Sequence, residues 1–167
     1  MPQEPLAIGQ TAPNFTLCSK TAGGPQLITL SESYQSKVTL LLFFPMIFTG
    51  VCTQEMCAIS QDLNIYADLN ASVYGISGDN PFAQEAWATQ ENIKVPLLSD
   101  YDHEVARSYG VAYERFLLEH QLGMAGVAKR SAFVIDCSGI IQYAESSDDP
   151  KNIPDFENIK VVLARLK

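Results

Sequence analysis

The chain has 167 residues, 47% of them hydrophobic and 18% charged, a make-up that folds around a core and is not that of a disordered chain. One domain spanning 1–167 is expected at that length. A net charge of −8 argues against nucleic acid and anionic membrane as partners, and no apolar run approaches the ~18 residues of a membrane span.

The opening MPQEPLAIGQ lacks the basic start and apolar core of a signal peptide, so a cytoplasmic location is expected. The four cysteines (Cys18, Cys52, Cys57 and Cys137) then point to redox catalysis or plain buried thiols, not to a structural disulfide framework.

In chain order, Gly9 to Leu17 reads as a turn followed by an edge strand around Phe15 to Leu17, ended by Cys18 as a small hydrophobe. Gly23-Gly24-Pro25 is a turn before a short strand from Leu27 to Leu30, and Ser31 is placed to cap a brief helical turn. Val38 to Phe44 is a nearly unbroken apolar run of β-formers stopped by Pro45, which reads as a strand buried on both faces. A loop from Pro45 to Val51 follows, and then Met56, Ile59, Leu63 and Tyr66 recur at helical spacing. Cys52 lies at that helix start on the inward face with Met56, while Thr53, Cys57, Ser60 and Asn64 form a wetter face. Unpaired N–H groups and the positive end of the macrodipole at a helix start favour a thiolate, which suits a reactive cysteine.

Ser72 to Ser77 reads as the next strand, and Asp79 or Asn80 followed by Pro81 as a helix start, with the helix running to about Glu91 and burying Phe82, Ala86 and Trp87. Pro96 to Ser99 is a short strand, and Asp102 is expected to cap a helix through Val105, Ala106 and Tyr109 that Gly110 closes. Tyr113 to Lys129, with Phe116, Leu117, Leu118, Leu122 and Met124, fits neither period and is read as a loop over the active site or a dimer contact. Arg130 then opens a hairpin, Ser131 to Asp136 and Ile140 to Glu145 around Cys137-Ser138-Gly139. A terminal helix from Asp155 to Leu166 offers Phe156, Ile159, Val161, Val162 and Leu166 for packing. Strands alternating with helices argue for an α/β layer fold.

Pro45, Thr49 and Cys52 give P-x-x-x-T-x-x-C, and Cys57 extends it to C-x-x-x-x-C. Here the sequence resembles the peroxiredoxins, thiol peroxidases of thioredoxin-like fold, whose active-site signature is this Pro, Thr and Cys. The second cysteine resembles the peroxiredoxin Q (bacterioferritin comigratory protein) type, while Phe48 to Cys52 is worded more like bacterial one-cysteine members. Gly9, Ala12, Pro13, Phe15 and Leu17 are similar to the start of peroxiredoxins, and Arg130 before its strand resembles their active-site arginine.

The resemblance implies a central mixed sheet flanked by helices, with an N-terminal extension of short strands. It also implies reduction of hydrogen peroxide or organic hydroperoxides by Cys52 through a sulfenic acid, resolution by Cys57, and recycling by a thioredoxin-like protein. No metal, flavin or nucleotide is needed, and a monomer or homodimer is expected. Thr49 is read as a helix cap, a group holding the thiolate or peroxide, or both; Pro45 as a strand terminator or a shaper of the pocket. Glu55 is read as an acid suited to the first helical turn. His103 and His120 are isolated, with no zinc-type spacing. Two other readings stand beside peroxidase: a thiol–disulfide oxidoreductase, disfavoured by the lack of C-x-x-C, and a non-catalytic redox sensor or holdase.

Overall fold

The structure is a computed structural model that describes residues 3–118, 121 and 123–167. The expectations for His120 and Leu122 lie outside the described residues. The apolar run forms β3 (Val38–Phe43), every residue of it buried. Leu40, Leu42 and Phe44 face one core and Leu41 and Phe43 the other, as the two-residue period of a strand requires. β4 (Ala71–Ser77) pairs with β3 in parallel, and β6 (Ser131–Ile135) pairs with it antiparallel on the other side. With β1 (Thr16–Thr21), β2 (Gly24–Thr29), β5 (Leu97–Ser99) and β7 (Ile141–Ser146), they make a mixed sheet in the order β2-β1-β5-β4-β3-β6-β7.

The first core packs α2 (Gly50–Gln61), α4 (Pro81–Glu91) and α6 (Phe156–Leu166) on one face through Met56, Ile59, Trp87, Ile159, Val162 and Leu163. The opposite core takes Leu30 of α1 (Leu30–Tyr34) and Val105 and Ala106 of α5 (Glu104–Ser108). It is centred on Tyr109, whose ring lies 5.3 Å from Phe43 and 5.2 Å from Phe133. Among the described residues no helix is long and apolar enough to cross a membrane.

Several local expectations give way to particular contacts. β1 is not an edge strand and does not end at Cys18: it lies between β2 and β5 and pairs on to Thr21↔Gly24. Leu30, read as strand, opens α1 instead, and Ser31 donates its N–H to Asn14 Oδ1. The helix after the loop breaks at Asp62, whose N–H turns to Ile59 O, and resumes as α3 (Leu63–Asp68); the apolar stripe continues across the break to Tyr66. α4 starts as expected, with Asn80 Oδ1 accepting from Ala83 N–H, but Phe82 and Ala86 face solvent while Gln84 and Trp87 turn inward. α5 is capped by Asp100, not Asp102, because the Asp100 carboxylate accepts from Val105 and Ala106 N–H at 3.1 and 2.8 Å. In α6 Val161 is exposed and Leu163 takes the buried place. Around Tyr113 to Lys129 the described residues carry the isolated bridges Ala112↔Ala128 and Phe116↔Met124 in place of a regular element, which is why neither period fits that stretch.

Gly75 in β4 sets how closely α2 approaches the sheet. A Cβ there would sit 2.9 Å from Leu97 Cδ2, 3.1 Å from Met56 Sδ and 3.3 Å from Phe44 Cε1. Gly75→Ala is therefore expected to lower the unfolding free energy by ~1–3 kcal/mol, as overpacking of a filled core does. Denaturant unfolding checks this; an unchanged midpoint would mean that α2 yields freely.

Candidate active site

Pro45 carries no N–H to extend the β3 ladder, and the last bond of that run is Phe44 N–H to Ile76 O at 3.0 Å. The chain then turns through Phe48, which takes a left-handed φ of 61° and is 55% exposed, into the extended Thr49 at the N-cap position of α2. Thr49 does not cap with its side chain: its Oγ1–H donates to Met46 O at 2.7 Å. The hydroxyl therefore presents lone pairs, not a proton, to anything that approaches it. The first helical bond is Thr53 N–H to Thr49 O at 3.0 Å, so the N–H groups of Gly50, Val51 and Cys52 precede any helical acceptor. Thr53 Oγ1–H donates to the same carbonyl at 2.8 Å and accepts from Trp87 Nε1–H at 3.2 Å, tying the helix start to α4.

Cys52 and Arg130 are each only 2% exposed. Sheet register brings them together. Phe43 pairs with Ser131, so Arg130 enters β6 beside the end of β3, where the loop to Cys52 begins. The guanidinium fork then makes three separate bonds: Nη2–H to Cys52 Sγ at 3.1 Å, Nη1–H to Glu55 Oε2 at 2.5 Å, and Nε–H to Pro150 O at 2.9 Å. A rigid planar donor held on three sides cannot swing away from the sulfur. Burial opposes the Arg130 charge, but Glu55 and Cys52 outweigh it and the guanidinium holds its proton more firmly than a free arginine.

Glu55 is not the first-turn acid expected from sequence. It lies in the second turn of α2, fully buried, and its Oε1 has no hydrogen-bond partner among the described residues. Burial pushes its carboxyl up from the usual carboxylate range to about 7, against the pull of Arg130. Such a group binds its proton more tightly in the folded chain. Its contribution to stability is complete below pH ~4.5, falls as the pH rises, and is lost above ~7. Relative to Glu55→Gln, the wild type is expected to lose on the order of 3 kcal/mol of unfolding free energy between those limits. Urea titrations at several pH values read this directly, and parallel curves for the two proteins would place the Glu55 titration elsewhere.

The site thus brings together Cys52, Arg130 and the Pro45–Thr49 loop, with Pro45 itself buried. Cys57 is not brought to Cys52. It lies half-buried farther along the unbroken α2, its Sγ–H directed to Glu91 O at 3.6 Å, and burial and then Glu91 push its thiol up. Cys52 and Cys57 are both free thiols, as are Cys18 within β1 and the exposed Cys137 in the hairpin turn. His103 sits at the N-cap of α5. Sequence reasoning missed two partners of Arg130. Glu55 carried a signal, since it lies three residues beyond Cys52 and so on the same helix face. The Pro150 carbonyl carried none.

Solved structures set the class. The fold matches a peroxidoxin, BcpB, from Mycobacterium tuberculosis with a TM-score of 0.80 at 29% identity, covering 97% of this chain and 99% of that one. It matches a reduced 2-Cys peroxiredoxin from Plasmodium vivax with a TM-score of 0.81 at 24% identity, covering 95% and 81%. This is the thioredoxin-like α/β fold of the peroxiredoxins. Residues 8–144 match the AhpC/TSA family, and the chain belongs to that family. Among curated relatives, alkyl hydroperoxide reductase E of Mycobacterium tuberculosis is 38% identical over 142 residues, covering 84% of this chain and 85% of the relative. A putative peroxiredoxin of Synechocystis is 38% identical over 148 residues, covering 84% and 69%. A thioredoxin-dependent peroxide reductase of Rattus norvegicus mitochondria is 30% identical over 165 residues, covering 95% and 60%.

Proposed function

We propose that the protein is a thiol peroxidase for hydrogen peroxide and organic hydroperoxides, with Cys52 as its nucleophile. The observation that carries this is the buried Arg130 Nη2–H held 3.1 Å from Cys52 Sγ at a helix start. The Cys52 thiolate attacks the terminal oxygen of ROOH, the S–O bond forms as the O–O bond breaks, and RO⁻ leaves to take up a proton as alcohol or water. Sulfur is oxidised by two electrons to the sulfenic acid and the peroxide is reduced. Arg130 and the N–H groups at the start of α2 stabilise charge on the peroxide oxygens during that step. Thr49 Oγ1, its proton spent on Met46 O, accepts the O–H of the peroxide and so orients it. Pro45, buried just beyond β3, ends that strand and shapes the loop that carries Thr49 and Cys52.

Cys57 is the resolving thiol in this reading. It attacks the sulfenic sulfur, a disulfide forms, water leaves, and a thioredoxin-like dithiol protein reduces the bond. Five residues along an ideal helix put two Cα atoms ~8.7 Å apart, whereas a disulfide needs ~4.4–6.8 Å. The start of α2 must therefore unwind, and the same opening frees Cys57 from the burial that raises its thiol. After one equivalent of peroxide, mass spectrometry is expected to find a Cys52–Cys57 disulfide together with loss of helical circular dichroism. A Cys57→Ser protein that still turns over with thioredoxin at the wild-type rate would remove Cys57 from the cycle and leave resolution to an external thiol. The whole domain, 1–167, is proposed to act in the cytoplasm as a monomer or homodimer; its four free cysteines suit a reducing compartment. The test of the activity itself is peroxide consumption coupled to a thioredoxin system. A thiol–disulfide oxidoreductase or a holdase would consume none catalytically.

A further inference from the structure

We propose that Asp79 is a positioning residue for peroxide reduction, acting through one peptide plane on the Thr49 hydroxyl. The inference rests on the peroxidase reading above. Asp79 Oδ2 accepts the N–H of Ile47 at 3.1 Å, and Thr49 Oγ1–H donates to the C=O of Met46 at 2.7 Å. That N–H and that C=O belong to the same peptide unit, which is planar and trans, so fixing one fixes the direction of the other. Asp79 thus grips one end of the plane, and the far end sets where the Thr49 hydroxyl points its proton and, by exclusion, its lone pairs.

The grip is itself anchored. Ser77 Oγ–H donates to the same Asp79 Oδ2 at 2.7 Å, and Gln84 Nε2–H of α4 donates to Ser77 Oγ at 2.9 Å and to Leu98 O at 2.9 Å. Ser77 and Gln84 are 0% and 1% exposed. The backbone of the turn is held as well, with Ser99 Oγ–H donating to Asp79 O at 2.6 Å. The active-site loop has no regular secondary structure of its own between Pro45 and Thr49, and these bonds supply the rigidity that a strand or helix would otherwise give. Asp79 touches neither Cys52 nor Arg130 through any hydrogen bond of this network, which separates its role from theirs.

The test uses full-length wild type, Asp79→Ala, Asp79→Asn, Thr49→Val and the Thr49→Val/Asp79→Ala double variant. Each is assayed for the second-order rate with hydrogen peroxide and for alkylation of Cys52 by iodoacetamide, which needs no Thr49 acceptor. Asp79→Ala is expected to slow the peroxide reaction ~10–100-fold, the scale of a misplaced orienting group, while alkylation changes less than about threefold. Asp79→Asn retains an oxygen acceptor for Ile47 N–H and is expected to stay within about threefold of wild type on both readouts. In the Thr49→Val background, removing Asp79 is expected to change the peroxide rate less than about twofold, because the two residues act on one hydroxyl.

Equal loss in Asp79→Ala and Asp79→Asn, an Asp79→Ala rate within twofold of wild type, or full additivity with Thr49→Val would each overturn the proposal. Amide hydrogen exchange at Ile47 reads the tether without activity. Faster exchange in Asp79→Ala than in Asp79→Asn supports the proposal, and equal exchange overturns it. Cys52→Ser run alongside separates the two claims, since a wild type no faster than Cys52→Ser sinks the peroxidase reading and leaves the tether to the exchange measurement.

Discussion

Cys52→Ser is expected to reduce peroxide consumption by at least ~10⁴-fold, to the background of the other thiols, a loss within the span that enzymes supply over uncatalysed reactions. A serine hydroxyl keeps its proton at neutral pH and is a weak nucleophile unless a base activates it. The hydrogen bonds at Cys52 Sγ and Glu55 Oε2 both come from Arg130, so among the described residues the side chain bonded to Cys52 is a cation and not a base. The fold should survive, because oxygen for sulfur removes little volume and the hydroxyl can still accept from Arg130 at this buried site. Equal melting temperatures with activity lost would confine the effect to chemistry. Measurable turnover would move the nucleophile elsewhere, with Cys57 the next suspect.

Arg130→Ala is expected to slow the peroxide step by ~10²–10³-fold, the usual effect of removing one donor aimed at developing charge. Magnitude decides what that loss means. An unshifted thiol of pKa ~8.5 is ~3% ionised at pH 7, so ionisation alone can account for at most ~30-fold, or ~2 kcal/mol. Enzymes commonly supply at least ~8 kcal/mol, and the rest must act on the oxygens as the O–O bond breaks. Arg130→Ala also removes the donor to the buried Glu55, whose carboxyl then holds its proton more firmly and is left without that bond, a loss that lowers stability, so Arg130→Lys and the Arg130→Ala/Glu55→Gln pair belong in the same experiment. Lysine keeps the charge but cannot reach sulfur, carboxylate and carbonyl from one planar fork, so it should rescue stability more than rate. Stopped-flow rates set against a thiolate absorbance titration give the answer. If the rate loss is wholly explained by the ionised fraction, Arg130 has no separate role in the transition state.

The framework was readable where local chemistry and burial agree. Val38 to Phe43 is apolar on both faces because helices cover both, and Asn80-Pro81 started α4 because the cap and the fixed proline φ act within four residues. Cys52 was placed on the inward face by helical period alone, and Arg130 at the mouth of a strand by its order in the chain. What escaped depends on contacts that are distant in sequence. Whether Asp100 or Asp102 caps α5 is decided by which carboxylate the loop after β5 aims at Val105 and Ala106. Phe82 reads as core because it is large and apolar, yet α4 turns Gln84 inward because Ser77 and Leu98 offer it acceptors. Glu55 reads from sequence as a first-turn acid because its compensating cation lies 75 residues away. The proton of Thr49 is committed to a backbone carbonyl, which no side-chain pattern reveals.

The central claim is that Cys52, under Arg130, is the atom that peroxide oxidises first. Treating Cys57→Ser protein with one equivalent of hydrogen peroxide in the presence of dimedone, then mapping the adduct by peptide mass spectrometry, tests it most directly. The adduct is expected on Cys52 at near-stoichiometric yield, and strongly diminished when Arg130→Ala is combined with it and sampled at the same early time. Dimedone carried by Cys18 or Cys137, with Cys52 unmodified, would contradict the account.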